Sequence, residues 1–385
     1  MQNNKTTLTA LSAAAMMLNT LSGQANAADE GYSLEYLGTK YQESELPAEN
    51  LEFGSVQRYD ISSHQLRAVV PLAGDTSLTV SGLYETMAGA SPWYVTPGSE
   101  NQPLQVMSGA TIDEQRAQLD VDFYQKQEKS ESTTSLGYSS ESDYDSVSFG
   151  ISGAWFFNRQ LTTLNYRLIG GQDHVHPTPD DSDPQRRTSE AKSRLGGYIG
   201  VSQVLTKNRL VGFNIGTTAF SGYLSDPYKR AYIANPGSLV RDSRPDRKQS
   251  YTASAMLREY LPEADGVLHA DLNLSSNNWG VTAFSGDVAW YKNFGNIIQV
   301  APSARIYHQT EATFYSPFYQ EERQDGYYSS DYRLSKFSAA SVRLQAFKEW
   351  KYFSLQASAE HYSSFGDHPG LVSFNVISFG ISSDL

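Results

Sequence analysis

The sequence predicts an all-β chain, a single transmembrane antiparallel β-barrel of about sixteen strands (about 14–16) with short turns at one end and long loops at the other. Three observations predict it. Apolar and polar residues alternate over segments of roughly ten residues, and no run reaches the ~18 apolar residues of a spanning helix. The connections between these segments are alternately short and long. The last segment, 374–385, sets Ile377, Phe379, Ile381 and Leu385 on one parity and Ser378, Gly380 and Ser382 on the other. In a strand, parity is a face. A strand greasy on one face and small and polar on the other suits closure against the first strand, so these four apolar residues are read as the closure signal. Ser383, on the greasy side, departs from the pattern.

Composition narrows the class. Residues 1–27 read as a secretory signal: Lys5, an Ala-rich apolar stretch from Leu8 to Leu21, then Ala25-Asn26-Ala27 as a small-x-small cleavage site. The barrel domain is expected over 28–385. The full chain carries −12, and removing Lys5 leaves −12 − 1 = −13. No basic nucleic-acid face is suggested, and no nucleic-acid partner is expected. The chain has no Cys, which excludes disulfide frameworks, Cys–metal sites and a lipoprotein anchor. A mean hydropathy of −0.47 is compatible with strands that are only half apolar. The 25 Tyr and 29 Gly suit aromatic girdles and tight turns.

Sixteen segments read as strands. The first is 31–40, with Tyr32, Leu34 and Tyr36 on one side. In 58–72, Leu66, Ala68, Val70 and Leu72 face one way and Arg67 the other. A turn at Gly74-Asp75 leads to 76–87, and a Pro-broken loop follows. In 114–126, Ala117, Leu119, Val121 and Phe123 alternate with Gln118, Asp120, Asp122 and Tyr124. The next strands are 132–139, 144–157, 161–172, 192–205 and 209–223. After the loop 224–249 come 250–261, 267–275, 279–292 and 297–310. A loop rich in Tyr, Asp and Glu then leads to 336–348, 352–363 and 373–385. The turns near Gly74, Lys129, Arg159, Lys207, Asp265, Gly295 and Trp350 are all short and fall on one side. All the long loops fall on the other, the expected asymmetry of bacterial barrels with periplasmic termini. A secreted propeller or β-helix is the competing class, but no blade-sized repeat is visible.

Several loop-proximal segments resemble an uncharacterised family of Gram-negative outer-membrane barrels, domain-of-unknown-function family 3570. They include Glu52-Phe53-Gly54 with Arg58-Tyr59-Asp60, the run Met87 to Trp93, and Met107 to Ile112. Further on, the segments Gly137 to Tyr144, Gly222 to Lys229, Arg244 to Arg247 and Ser329 to Ser335 carry the likeness. The resemblance covers nearly the whole mature chain. It implies an outer-membrane location and supplies no activity and no site residues.

Inward parity gives a mixed-sign lumen set: Arg67, Glu85, Asp120, Asp122, Arg167, Asp271, Asp287, Arg305, Arg343 and Glu360. These are either a charge-selecting constriction or a solvated wall of ion pairs. Asp173-His174-Val175-His176 would set two imidazoles on one face of an extended loop, a weak metal pattern. The acidic runs Asp180 to Asp183 and Glu141-Ser142-Asp143 lack the Gly and closing Glu of a calcium loop. Tyr84, Trp93, Tyr138, Trp155, Tyr223, Trp279, Trp290, Tyr291, Trp350 and Tyr352 suit interfacial girdles. The Tyr327–Tyr332 segment reads as a packed loop cluster. No Gly-x-Ser-x-Gly elbow, phosphate loop or haem motif occurs. His361 is read as interfacial. His269 lies two residues from Asp271 on one face, with no Ser tied to the pair.

The expectation is therefore an outer-membrane pore or narrow channel with no cofactor, no metal and no enzymatic activity. A scaffold barrel that houses a periplasmic redox or secretion partner is the alternative, and an outer-membrane hydrolase a third. Lipid, lipopolysaccharide and the barrel-assembly machinery are the expected partners.

Overall fold

The computed structural model describes residues 31–109, 112–179, 186–295 and 297–384. The signal segment 1–27, the acidic run 180–183 and Leu385 lie outside the described residues. Five of the strands are short and lie in loops. In chain order the strands are β1 (Ser33–Glu43), β2 (Leu51–Phe53), β3 (Asp60–Pro71), β4 (Thr76–Gly89), β5 (Pro92–Pro97), β6 (Pro103–Met107) and β7 (Ile112–Gln127). They continue as β8 (Ser130–Glu141), β9 (Tyr144–Phe157), β10 (Thr162–Val175), β11 (Glu190–Thr206), β12 (Arg209–Gly222), β13 (Arg230–Ile233) and β14 (Ser238–Arg241). The last are β15 (Arg247–Leu261), β16 (Gly266–Asn277), β17 (Thr282–Phe294), β18 (Ile298–Gln309), β19 (Phe337–Glu349), β20 (Phe353–Phe365) and β21 (Phe374–Asp384).

All but β2, β5, β6, β13 and β14 form one closed antiparallel barrel of sixteen strands. The order follows the chain, and β21 closes against β1 from Ser33↔Asp384 to Glu43↔Phe374. Closure leaves no sheet edge, so every strand finds backbone partners on both sides. The closing strand carries its signal outward: Ile377, Phe379 and Ile381 are exposed, whereas Ser378 is buried on the other face. The same alternation runs round the ring, with Leu66, Leu119, Phe149, Leu195, Ile215, Leu272, Val288, Ile306 and Val342 all exposed. These residues form an apolar outer belt, and the opposite parity lines the lumen.

Seven short turns mark one rim; every long connection lies at the other, with the two-residue link Ser142-Asp143 among them, and this is here called the long-loop rim. Buried apolar side chains concentrate at the latter. Tyr41, Tyr59, Ile61, Met87, Ile112 and Phe374 cluster where β1, β3, β4, β7 and β21 reach it. Three further clusters lie wholly or largely in the long connections, around Phe314, Met107 and Ile233. The connections are thus structured rather than simple polar loops. β2, β6 and β5 make a three-stranded sheet and β13–β14 a hairpin. Gly89, at φ +128, ends β4 where a Cβ would collide with the Arg58 carbonyl.

Two sequence expectations are corrected here. Asp173, His174 and Val175 lie on β10, not in a loop, because the ladder with β9 and β11 continues to Val175. Trp279 is no girdle residue. It is buried against Phe314, at 5.3 Å between ring centroids, and its indole N–H donates to the Arg247 carbonyl. Trp155 stacks on Tyr166 at 4.4 Å, and Trp350 stacks on Phe353 at 4.7 Å.

Arginine on the outer belt should be costly and on the lumen face should not. Leu272→Arg, at a position 52% exposed on the belt and midway along β16, is expected to cost roughly 2–4 kcal/mol in vesicles. Thr252→Arg, on an exposed lumen position of β15, should change stability little. Denaturant titration of both variants in vesicles checks the difference.

Candidate functional site: the lumen and its long-loop cap

The lumen wall is polar because its parity faces water rather than lipid. Most of its charges are paired across neighbouring strands. Arg67 meets Glu35 at 3.0 Å, Arg258 meets Asp271 at 2.8 Å, Arg305 meets Asp287 at 3.4 Å and Arg343 meets Glu360 at 2.6 Å. Asp287 stands directly opposite Arg305, and Arg343 opposite Glu360. The more exposed pairs, Arg67–Glu35 and Arg305–Asp287, contribute ~0–1 kcal/mol each. Glu85 is fully buried beside Arg116, at 3.3 Å. Asp120 accepts from Gln118 Nε2 at 2.6 Å. Arg167 is exposed to the lumen, and neither it nor Asp122 has an ion pair among the described residues. Asp271 is engaged by Arg258 rather than by His269, whose ring lies 4.4 Å from that of Tyr291.

Sequence reasoning missed Glu35, Arg116, Arg194 and Arg258 on the same lining. Parity alone could have found them, since each alternates with residues of the outer belt. Asp120 and Arg194 share one register row, with Gly137, Ser148 and Gly171 between them. That row and its neighbours give β8 and β9 a lining of Ser, Thr and Gly, which leaves the sector wide.

Above the lumen, the long connections meet one another. Lys229, between β12 and β15, donates to the Pro92 carbonyl, between β4 and β7, at 2.9 Å. Four strands, β8 to β11, separate those connections on the shorter way round. Arg244 bonds Asp242 at 2.7 Å on its own connection and Asp331 at 2.9 Å on the connection between β18 and β19. Arg333 pairs with Asp331 and reaches Asp226 at 3.3 Å. The Arg58 guanidinium lies 5.5 Å over the Tyr332 ring and bonds Glu43 at 2.9 Å. The Tyr59 and Ser91 hydroxyls are 2.8 Å apart. Segments rooted so far apart on a ring can meet only across its mouth. They form a cap, and its charged groups are buried.

Burial makes these charges interdependent. Burial alone would raise the Asp331 pKa, but Arg333, Lys229 and Arg244 hold it well below the usual carboxylate range. Burial lowers Lys229. Burial pushes Asp143, whose carboxylate takes the Tyr228 hydroxyl, up to about 6. His368 is fixed as a neutral ring. The Gly370 N–H donates to its Nδ1 at 2.8 Å, and its Nε2 donates to the Ser330 carbonyl at 2.9 Å. Burial lowers its pKa to about 4.

Two outcomes follow. Arg244→Ala strands the buried Asp242 without its guanidinium and leaves Asp331 to Arg333 and Lys229, at a cost of about 3–5 kcal/mol to the cap. Protease should then cut 223–246 and 310–336 in a barrel that stays heat-modifiable. The second concerns pH. A His pKa lowered in the fold leaves stability intact above the unfolded value near ~6.5 and erodes it as pH falls toward the folded value. Hydrogen-exchange protection around Ser330, relative to the intrinsic rate at each pH, should therefore fall between about pH 6.5 and 4, and His368→Gln should flatten that fall. Asp143 has the opposite sign, so protection around Tyr228 should grow on acidification through about pH 6 and vanish as a trend in Asp143→Asn.

The wall and cap can be set beside known proteins. A solved bacterial polysaccharide outer membrane secretin is similar at 10% identity and TM-score 0.50, over 92% of this chain and 98% of that chain. CdiB from Acinetobacter baumannii is similar at 7% identity and TM-score 0.51, over 92% of this chain and 60% of that chain. OprB from Pseudomonas putida aligns over 93% of this chain and 95% of its own at 8% identity, with TM-score 0.44. At such identities the first two likenesses concern the fold, which is that of outer-membrane β-barrels. No curated protein matches the chain. The model of a family described as proteins of unknown function (DUF3570) matches residues 7–371. A match over nearly the whole length makes the chain a member of that family.

Proposed function

We propose that the chain is a gated pore of the bacterial outer membrane, with a polar mixed-charge lumen and a long-loop cap that opens and closes it. The observation that carries this reading is the contact network across the mouth, from Lys229–Pro92 through Arg244–Asp331 to Arg58–Tyr332. A cap joined by ion pairs and single hydrogen bonds can exchange those bonds for water. Such order–disorder of loop segments is a known form of switching. The wetness of the lumen beneath supports the same reading: Arg167, Tyr198 and Thr252 face it and are exposed.

A second reading is favoured by the cap itself. A barrel sealed on its outer side and reached from the short-turn rim would suit a scaffold for a periplasmic partner. Planar-bilayer recording separates the two. On the pore reading, wild type shows rare openings and Arg244→Ala shows frequent, long ones. No conductance from Arg244→Ala, with its outer loops verified as protease-sensitive, would overturn the pore. Selectivity gives the finer outcome. Arg167→Glu should shift reversal potentials toward cations, whereas Arg343→Gln, which removes a charge already paired with Glu360, should shift them less.

A further inference from the structure

On the outer belt, beside the closing strand, three side chains stand in a chemically specific order. His361 on β20 is directly opposite Asn375 on β21. Asn375 Oδ1 lies 2.8 Å from His361 Nδ1, and the Ser363 hydroxyl lies 3.2 Å from His361 Nε2. The amide oxygen can only accept, so it fixes the proton on Nδ1 and leaves Nε2 as the acceptor for the Ser363 O–H. That is the arrangement of an activated serine: a nucleophile, a base in the correct tautomer, and a third group that orients the base. The ring is bracketed at both nitrogens. Another exposed histidine on the belt, His308, has only its contact with Ser338, at 2.9 Å through Nδ1, among the described residues.

The surroundings name the substrate class. His361 and Asn375 are exposed, on the parity of the apolar belt, with Val342 and Ile377 exposed beside them. Phe365 ends β20 two residues on, also exposed, at the long-loop rim. The triad therefore lies on the apolar outer face, toward its long-loop end. A water-soluble substrate has no reason to approach that face.

We infer that Ser363, His361 and Asn375 form a serine acyl-hydrolase site that cleaves acyl esters of membrane lipids. Ser363 Oγ attacks the ester carbonyl carbon while its proton passes to His361 Nε2. The bond from that carbon to the glyceryl oxygen breaks, and the departing alkoxide takes the proton from His361. Water then attacks the acyl-serine with His361 as base, releasing the fatty acid and restoring the serine. Asn375 is the positioning residue. This inference concerns the outer surface and stands apart from the pore reading.

The test uses the full chain in phosphatidylethanolamine vesicles doped with a fluorogenic phospholipid acyl ester. Wild type should release fatty acid and lysolipid. Ser363→Ala and His361→Ala should lose activity on the order of 10^3-fold or more. Asn375→Ala should lose about tenfold or more, and Asn375→Asp should recover part of it. A fluorophosphonate should label wild type on the peptide carrying Ser363, and His361→Ala should suppress that label. All three side chains are solvent- or lipid-facing, so heat-modifiability should persist in the variants. The labelling of wild type decides the matter even where a variant misfolds. Turnover equal in wild type and Ser363→Ala, or a labelled wild type whose adduct maps elsewhere, would overturn the site.

Discussion

Everything in this molecule depends on one requirement: in lipid, each backbone N–H and C=O must be bonded within the protein. A strand cannot satisfy both its edges alone, so the sheet has to close. The seam between β1 and β21 meets that requirement over eleven registered pairs, from Ser33↔Asp384 to Glu43↔Phe374. Once closed, the sheet has an inside and an outside, and residue parity assigns every side chain to one of them. The apolar belt and the charged lumen are two consequences of a single geometric fact.

Closure also explains where the packed core went. A ring of sixteen strands is too wide for its own side chains to fill. Its lining is accordingly polar, with solvated ion pairs. Tight packing moves to the long-loop rim, where Tyr41, Ile61, Met87 and Phe374 cluster under the converging connections. There Arg58, Asp242, Arg244 and Asp331 are almost fully buried. Buried pairs of this kind add little stability compared with apolar replacements but are expensive to break singly.

The seam and the cap meet the Ser363–His361–Asn375 arrangement at one place. β20 and β21 carry that arrangement on their outer face, and their connection 366–373 carries His368 into the cap, where its Nε2 holds the Ser330 carbonyl. One hairpin therefore touches the closing seam, the lipid face and the mouth.

Much of this was legible beforehand. Residue pattern alone indicated about sixteen strands, the alternating connections and the two faces, because a period of two and a short–long rhythm are local properties of a chain; closure of the ring fixed the number at sixteen. It also marked Phe374 to Leu385 as the closing strand. It could not give the partners of Arg244 or Lys229, which lie 87 and 137 residues away in the chain. Nor could it tell that Trp279 turns into the cap, or that β10 continues through His174. His361 looked like one more interfacial ring, because nothing in its own strand places Asn375 opposite it. That pairing is set by the register of β20 on β21, and register is decided by closure of the whole ring.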